Sequence, residues 1–375
     1  MESNGINQTT KQQDNKTTKS LTNQTKKILM NISLLNETEL SRLQNIVAEA
    51  ERALILGHVN ADGDALGSCL TWAEFLRRQG KIANIVVPDM FPDFLRWMPG
   101  VERVMRYDKV PQTIEKLLAE SDTIFCLDFS VPSRITEELG QKLIEAPGRK
   151  VVVDHHLHPE VEAELVVSRP EMSSTSEMVF SIIHQLGGYE TMTKSMAVTT
   201  YCGMMTDTGG FTYNSTRPEI FHIISLLLAK GIDKDKIYRN VFHTFSTNRL
   251  RLTGYVLYEK LRLMSPLRAS YYVITSEEQK RFGYVKGDAE GLVNMPLQIK
   301  GHRLSISLRE DSEKASLVWL SLRSVDDFPC NEMAARFFNG GGHLNASGGK
   351  LYCSVEEAEK IVQDAIRAYS HLLRF

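Results

Sequence analysis

The sequence lacks the long apolar segments that cross or target membranes. It has no run of 18 apolar residues, as a membrane span requires, and no short apolar core near its start, as a signal peptide requires. Its five cysteines form no C-x-x-C pair and no zinc-ribbon spacing, which favours reduced thiols over a disulfide framework or a thiolate metal site. The formal net charge of −2 shows no basic excess that would capture long nucleic acid. We therefore expect a cytoplasmic protein with no membrane contact.

The length and composition predict two folded domains and an unfolded tail. The chain has 375 residues, of which 42% are hydrophobic and 24% are charged, and this is enough to bury a core in each of two domains. Residues 1–27 are rich in Asn, Gln, Thr and Lys, a composition typical of a disordered tail. We expect one domain at 28–262, which ends with a connecting helix, and a smaller one at 263–375.

Short apolar segments alternate with amphipathic ones along the first domain. The segments "ALIL", "IANIVVP", "TIFCL" and "KVVVD" resemble buried strands, and continuous apolar strands separated by helices predict a parallel sheet covered on both faces. Ser174 with Glu177 and Thr216 with Glu219 have the spacing of helix capping boxes. Beyond the connecting helix, alternating segments predict further strands. The fold class expected is α/β, with a parallel-sheet domain linked by a helix to a smaller α/β domain.

The stretch "GHVNADGDALGS" (57–68) places two carboxylates on one tight turn directly after a predicted strand. Asp62 or Asp64 alone could simply cap the following helix, with Gly63 and Gly67 serving the turn. Two carboxylates close together repel unless a cation lies between them. Together with His58, the pair therefore predicts a cation site, and the carboxyl edge of a parallel sheet is where ligands collect.

Three further segments carry acidic and imidazole groups at predicted strand or helix ends. If one sheet positions them all, they converge on a single cleft with enough ligands for two divalent ions. Carboxylates mixed with imidazole, without thiolate, suit Mn²⁺ or Mg²⁺, with Zn²⁺, Co²⁺ and Fe²⁺ also compatible. Two ions about 4 Å apart can clamp a phosphoryl group. The candidate residues are His58, Asp62, Asp64, Asp128, Asp154, His155, His156 and Asp207.

The ordered motifs "GHVNADGDALGS", "LDFS", "VVVDHH" and "MTDTGGF" resemble the four motifs of the DHH phosphoesterase superfamily. The later "FFNGGGHLNASGG" (337–349) resembles the GGGH signature of the associated DHHA1 domain. The resemblance covers about residues 50–350. It is nearest to the RecJ-like enzymes of modest size that resemble bacterial oligoribonucleases, which degrade nanoRNA and also act on 3′-phosphoadenosine 5′-phosphate.

The resemblance implies a role for each matching residue. One metal ion would be held by His58, Asp62 and a bridging Asp128. The other would be held by Asp64, Asp128, His155 and Asp207. His156 would face the substrate phosphate and stabilise charge or protonate the leaving oxygen, and Asp154 would orient its neighbours. The expected cofactor is a pair of divalent ions, with Mn²⁺ favoured and Mg²⁺ or Co²⁺ possible.

The C-terminal glycine run predicts a place where a ligand comes close to the backbone. Glycine has no Cβ and accepts positive φ, which suits an anion-binding nest, although an isolated G-G-G is also typical of a flexible hairpin. His343 beside the run and Arg323 in "WLSLRS" favour the binding interpretation, since the planar guanidinium binds phosphate in a bidentate manner. We expect Arg323, Gly341, Gly342 and His343 to bind substrate from the second domain.

The activity implied by the resemblance is metal-dependent hydrolysis of short single-stranded oligoribonucleotides and small nucleotides. One alternative is a phosphodiesterase acting on cyclic di-AMP or its linear product pApA. Another is a nucleotide-binding regulator without turnover, although the intact ligand set argues against it. An inorganic pyrophosphatase or exopolyphosphatase fits less well because the chain ends in a GGGH domain. No membrane partner is expected, and a homodimer remains open.

Overall fold

The computed structural model describes residues 32–373 and divides the chain into two compact units. The first unit runs to Phe91 and continues from Leu95 to Val241, and the second contains Pro92–Phe94 and everything from Phe242 onward. The tail expected at residues 1–27 lies outside the described residues. Within the described range, no helix is both long and apolar enough to cross a membrane.

The first unit is built on a six-stranded sheet in the order β3-β2-β1-β4-β5-β6, in which every pairing is parallel. Its strands are β1 Arg52–Leu56, β2 Ile82–Val87, β3 Val104–Arg106, β4 Thr123–Leu127, β5 Arg149–Asp154 and β6 Leu165–Ser168. The apolar segment in β4 is buried along its whole length, as expected for a strand covered on both faces. The strand order reverses between β1 and β4, and ligands of open parallel sheets bind in the crevice at such a point.

Helices of the first unit connect and cover these strands. They are α1 Glu37–Glu49, α2 Gly63–Arg78, α3 Pro111–Glu120, α4 Glu137–Glu145, α5 Thr175–Gln185, α6 Lys194–Asp207, α7 Pro218–Ala229 and α8 Lys234–Phe242, whose last residue falls in the second unit. The Ser174 side chain accepts from the Glu177 amide and starts α5, as the sequence predicts. The box predicted for Thr216 and Glu219 is wrong. Pro218 starts α7 instead, with no side-chain cap, because its fixed φ suits the first helical position.

The second unit has its own six-stranded sheet, in the order β11-β12-β10-β9-β8-β7. The β8–β9 pair is parallel and the other pairs are antiparallel. The strands are β7 Arg262–Met264, β8 Ala269–Ile274, β9 Leu304–Glu310, β10 Val318–Ser324, β11 Gly341–His343 and β12 Ala346–Leu351. The helices of this unit are α9 Thr247–Tyr255, α10 Ser276–Arg281, α11 Cys330–Phe337, α12 Val355–Ala368 and α13 Ser370–Leu373. The α/β fold class predicted from the sequence is therefore confirmed.

The connecting helix belongs with the second unit. Leu252 of α9 and Val256, in the single π turn that follows it, pack in one buried cluster with Tyr272 and Ile274 of β8. The compact units therefore divide between Val241 and Phe242, earlier in the chain than the boundary expected near residue 262. The sequence pattern predicts this connecting helix. It does not specify which of the two sheets its apolar face packs against.

Candidate metal centre

The turn after β1 brings two of the predicted residues to the carboxyl edge of the first sheet. Asp62 caps α2, since its Oδ1 atom accepts from the amides of Asp64 at 2.9 Å and Ala65 at 3.1 Å. Its carboxylate also lies with His58 and Asp128 in a group whose candidate ligand atoms are all within 4.8 Å of one another. The sequence offers helix capping and metal binding as alternative roles for Asp62. The structure shows that one carboxylate can serve both.

Asp128 follows β4 and lies between two imidazoles. Its Oδ2 atom is 3.2 Å from His58 Nε2, and its Oδ1 atom is 3.5 Å from His155 Nε2. The residue adopts φ +65°, a conformation that Asp and Asn tolerate better than most residues. Burial would raise the pKa of this carboxyl, but hydrogen bonds with His155 and His58 hold the pKa well below its usual range. Each oxygen thus faces a different histidine, as a carboxylate that bridges two ions would.

Asp64, His155 and Asp207 form a second group with candidate ligand atoms within 4.8 Å of one another. His155 Nε2 lies 3.8 Å from Asp64 Oδ2 and 3.4 Å from Asp207 Oδ2. Burial and the charges of Asp128 and Asp207 raise the pKa of Asp64 well above its usual value. Burial raises the pKa of Asp207 to about 6. Carboxylates this close together repel, so this donor set fits a bound cation.

The fully buried Asp64 is held by the start of α5. Its Oδ2 atom accepts from the Thr175 amide at 2.6 Å, and its Oδ1 atom accepts from the Ser176 amide at 2.8 Å. Amides in the first turn of a helix have no partner within the helix, and the helix dipole favours an anion there. The sequence predicts this helix start but not its role. The signal was present in the capping residues of "SSTSE".

Backbone carbonyls orient both histidines of the two groups. His58 Nδ1 lies 2.8 Å from the Val59 carbonyl oxygen, and His155 Nδ1 lies 3.3 Å from that of Met172. A carbonyl oxygen only accepts, so each Nδ1 carries the proton and each Nε2 faces the carboxylates. Metal-binding histidines are usually oriented in this way. Burial would lower the pKa of both rings, but hydrogen bonds with Asp128 raise it in each.

His156 lies at the border of the site, held by Asp154. Its Nδ1 atom is 2.7 Å from Asp154 Oδ1, and its backbone amide donates to the same oxygen at 3.1 Å. Burial would raise the pKa of Asp154, but the hydrogen bond and charge of His156 outweigh it and lower the pKa. The imidazole is 23% exposed, in contrast to the nearly buried His155 ring. It is thus the histidine of the pair with access to a ligand.

Close packing of two helices brings Asp64 and Asp207 together. A Cβ atom on Gly67 of α2 would lie 2.6 Å from the Thr199 carbonyl oxygen of α6, so glycine is required for this approach. A Cβ atom on Gly63 would collide with Thr206, the neighbour of Asp207. The sequence pattern alone indicates both glycines as turn residues. Their effect depends on a helix more than 100 residues away, which no local pattern reveals.

The four predicted substrate-binding residues all lie in the second sheet. Arg323 of β10 pairs with Ala346 of β12, which also pairs with His343 of β11. Gly341 and Gly342 belong to this same edge strand, so the glycine run forms a hairpin rather than an open nest. Gly342 has φ +141°, and a Cβ there would lie 2.6 Å from the Ala346 carbonyl oxygen. Close backbone approach within the hairpin therefore accounts for this glycine.

This chain is similar to several known proteins. The family model described as DHH family, N-terminal domain, matches residues 52–204. A bifunctional oligoribonuclease and PAP phosphatase NrnA from Thermus thermophilus is 27% identical over 331 residues, covering 86% of this chain and 93% of that protein. Cyclic-di-AMP phosphodiesterase PdeA from Listeria monocytogenes is 28% identical over 341 residues, and this chain spans only 49% of its length.

A solved structure agrees over nearly the whole chain. The exopolyphosphatase-related protein from Bacteroides fragilis is 48% identical, with a TM-score of 0.86, and the match covers 91% of this chain and 98% of that one. The family match spans β1 to α6 and contains the residues after β1, β4 and β5 that form the site. The resemblance of the first-domain motifs is confirmed, and residues 52–204 form a DHH family, N-terminal domain.

Proposed function

We propose that this protein is a metal-dependent phosphoesterase that hydrolyses short oligoribonucleotides and 3′-phosphoadenosine 5′-phosphate. The observation that carries the proposal is that two groups of acidic and imidazole side chains meet at Asp128. In each group the candidate ligand atoms lie within 4.8 Å of one another. Asp128 belongs to the first group, and its Oδ1 atom is 3.5 Å from His155 Nε2 of the second. The two activities in the name of the Thermus thermophilus relative support this substrate class. Hydrolysis of cyclic di-AMP is the second candidate, because the Listeria monocytogenes phosphodiesterase is equally similar in sequence.

In this proposal the chain holds two divalent ions, with Mn²⁺ favoured and Mg²⁺ or Co²⁺ possible. His58 and Asp62 hold one ion, Asp64, His155 and Asp207 hold the other, and Asp128 contacts both. When bound, two such ions supply Lewis acidity at the phosphoryl oxygens and lower the pKa of a water nucleophile. Oxygen and imidazole donors without thiolate suit these metals.

The chain's own residues provide the remaining chemistry. His156, partly exposed and held through Nδ1 by Asp154, is positioned to stabilise a phosphoryl oxygen or to give a proton to the leaving oxygen. Asp154 fixes the ring orientation through this hydrogen bond. In the second unit, Arg323 and His343 bind the substrate's phosphate or base, with Gly341 and Gly342 as the backbone beside them.

We place the reaction in the cytoplasm. All five cysteines are free, and four of them are buried, as expected for a reducing compartment. Neither the location nor a homodimer is needed for the chemistry. A nucleotide-binding regulator without turnover would show binding but no metal-dependent product.

Product analysis on one panel of substrates tests the proposal. The panel contains di- to pentaribonucleotides, 3′-phosphoadenosine 5′-phosphate, cyclic di-AMP, pApA and inorganic polyphosphate, each assayed with Mn²⁺ and with a chelator. We expect metal-dependent mononucleotide products from the short ribonucleotides and release of phosphate from the bisphosphate. Preferential opening of cyclic di-AMP would establish the second candidate. Turnover of polyphosphate alone would overturn both.

A further inference from the structure

Five aromatic or cationic side chains form a single row across one face of the second sheet. Trp319 of β10 pairs with Arg309 of β9 on one side and with Lys350 of β12 on the other. The Arg309 guanidinium lies 5.6 Å from the centre of the Tyr284 ring, and Lys350 Nζ lies 5.8 Å from that of Tyr352. Aromatic and cationic groups thus alternate along the row. We call this set the aromatic row.

The aromatic row lies on the same sheet face as the proposed phosphate-binding residues. Side chains two residues apart in a strand point to one face, so Trp319 and Arg323 lie on the same face of β10. His343 joins them there, because directly paired residues of neighbouring strands share a face and Ala346 pairs with both His343 and Arg323. Trp319 and Arg323 are four positions apart along the strand, a backbone distance of about 13 Å.

Small side chains occupy the sheet between these two groups. Ser321, midway along β10 between Arg323 and Trp319, pairs with Ser307 of β9 and Gly348 of β12. A Cβ atom on Gly348 would contact only the Leu320 carbonyl oxygen, at 3.5 Å, so the space above this glycine is open. We call this stretch of small residues, with Arg323 at one end and the aromatic row at the other, the trough.

The indole of Trp319 is fixed although its surface is exposed. Its Nε1 atom donates to Asp311 Oδ2 at 2.7 Å, and Asp311 Oδ1 accepts from the amides of Glu313 and Lys314 at 2.9 and 2.8 Å. Trp319 remains 36% exposed, and Tyr352 is 69% exposed. A ring held in place by its edge, with a face open to solvent, loses little conformational entropy when a planar ligand stacks on it.

We propose that the aromatic row is a base-stacking site for a single-stranded oligonucleotide longer than one nucleotide. Trp319 stacks with a base, and Arg309 and Lys350 attract the adjoining phosphate. Every base has a π-face, so stacking of this kind tolerates any sequence. This inference rests on the proposed function and deepens it, because a mononucleotide bound at Arg323 gains nothing from a site about 13 Å along the strand. The row therefore favours oligonucleotides over 3′-phosphoadenosine 5′-phosphate.

The first test compares substrates of different length in the full-length protein. Trp319→Ala should lower the ratio of kcat/KM for a triribonucleotide to that for 3′-phosphoadenosine 5′-phosphate by about 5-fold or more, because base–aromatic stacking contributes about 1–3 kcal/mol per base. Trp319→Phe keeps an aromatic ring, so this ratio of kcat/KM values should stay close to that of the wild type. Tyr258→Ala removes an 86% exposed aromatic ring outside the row and should leave the ratio unchanged.

A second variant narrows the trough without touching the row. Gly348→Val adds a β-branched side chain in open space within a strand, so the sheet should tolerate it, and the Kd of a fluorescent triribonucleotide should rise by about 5-fold or more. Wild-type protein that hydrolyses no nucleotide of the panel contradicts the proposed function. If the wild type is active but Trp319→Ala and Gly348→Val behave like Tyr258→Ala, with unchanged circular dichroism, the stacking site is overturned and the proposed function stands.

Discussion

Thr175 donates its backbone amide to Asp64 Oδ2 at 2.6 Å, and its hydroxyl donates to Asp128 Oδ1 at 2.9 Å. One residue at the start of α5 therefore contacts a carboxylate from each of the two candidate metal groups. Hydrogen bonds to the ionised form of a carboxylate fix its orientation and favour its charge. Thr175 thus sets the geometry of the centre without being one of its predicted ligands.

Replacing this hydroxyl should weaken metal binding. Thr175→Val keeps the shape of the side chain and the amide bond to Asp64, but it removes the hydrogen bond to Asp128. We expect Mn²⁺ affinity, measured by isothermal titration, to fall about 10- to 100-fold, as is usual when a group that orients a ligand is lost. Thr200→Val is the matched control, because that buried threonine bonds within α6 and to Thr71. Equal affinities in the two variants would contradict this role for Thr175.

Asp128 should be required for both ions. Asp128→Asn keeps a side chain that tolerates the left-handed backbone of this position, yet it removes the charge that faces His58 and His155. We expect activity to fall by about 100-fold or more, since loss of a ligand should cost at least as much as loss of an orienting group. Metal content measured by mass spectrometry should fall as well. Near-normal activity in a folded Asp128→Asn protein would refute the shared-ligand assignment.

Removing metal should destabilise the first unit at neutral pH. Asp64, Asp128 and Asp207 then repel one another in a buried space, whereas an ion at about 100 times its Kd adds about 2.7 kcal/mol of stability. Thermal unfolding with Mn²⁺ and with chelator measures the difference. Asp207→Asn should raise the Tm of the chelated protein and reduce its response to Mn²⁺. Asp235→Asn, at an exposed acidic residue, should change neither the Tm of the chelated protein nor its response to Mn²⁺.

The sequence predicted those parts of the centre that depend on strand ends. His58, Asp128 and His155 each follow a continuous apolar segment, and parallel pairing alone brings such positions to one edge. The start of α5 was also predictable from Ser174. Its contact with Asp64 was not, because the two residues are far apart in the sequence and meet only through helix packing.

Other features were decided by tertiary context. The helix cap expected at Thr216 does not form, because the helix begins at Pro218 instead. The neighbouring Arg217 guanidinium lies 2.5 Å from Glu177 Oε1. The glycine run is a hairpin because its backbone pairs with β12, a contact that composition alone does not specify. Local sequence patterns therefore predicted most helices and strands, whereas the contacts between them depend on the tertiary fold.

The buried carboxylate of Glu177 depends on Arg217. Both carboxylate oxygens of Glu177 are paired. Ser173 donates its amide to Oε2 at 2.9 Å, and Arg217 donates to Oε1 at 2.5 Å. Arg217→Ala leaves a buried charge without its cation, so we expect a loss of about 2 kcal/mol or more in the free energy of unfolding by urea. Arg217→Ala combined with Glu177→Gln should recover part of this loss. A single variant as stable as the wild type would show that the ion pair is dispensable.

Substrate length should be limited by the small number of cationic groups available to a nucleic acid strand. The net charge of −2 provides no broad basic surface, and Arg323, Arg309 and Lys350 are the cations that we place along the trough. Single strands lose affinity with a salt slope of about −0.7 for each neutralised phosphate, so three contacts predict a slope near −2 in log kcat/KM against log salt.

We therefore expect kcat/KM to be highest for about two to five nucleotides and to fall for longer single strands and for duplexes, because three cations hold only a short segment of a strand. A nitrophenyl phosphate ester should be a poor substrate, since it carries no second nucleotide to stack. The measurement is a length series from dinucleotide to about 24 nucleotides between 50 and 200 mM salt, conditions under which a strand with many phosphate contacts loses affinity steeply. Equal kcat/KM for a dinucleotide and the longest strand, or a slope steeper than about −4, would indicate an extended track and a processive enzyme instead.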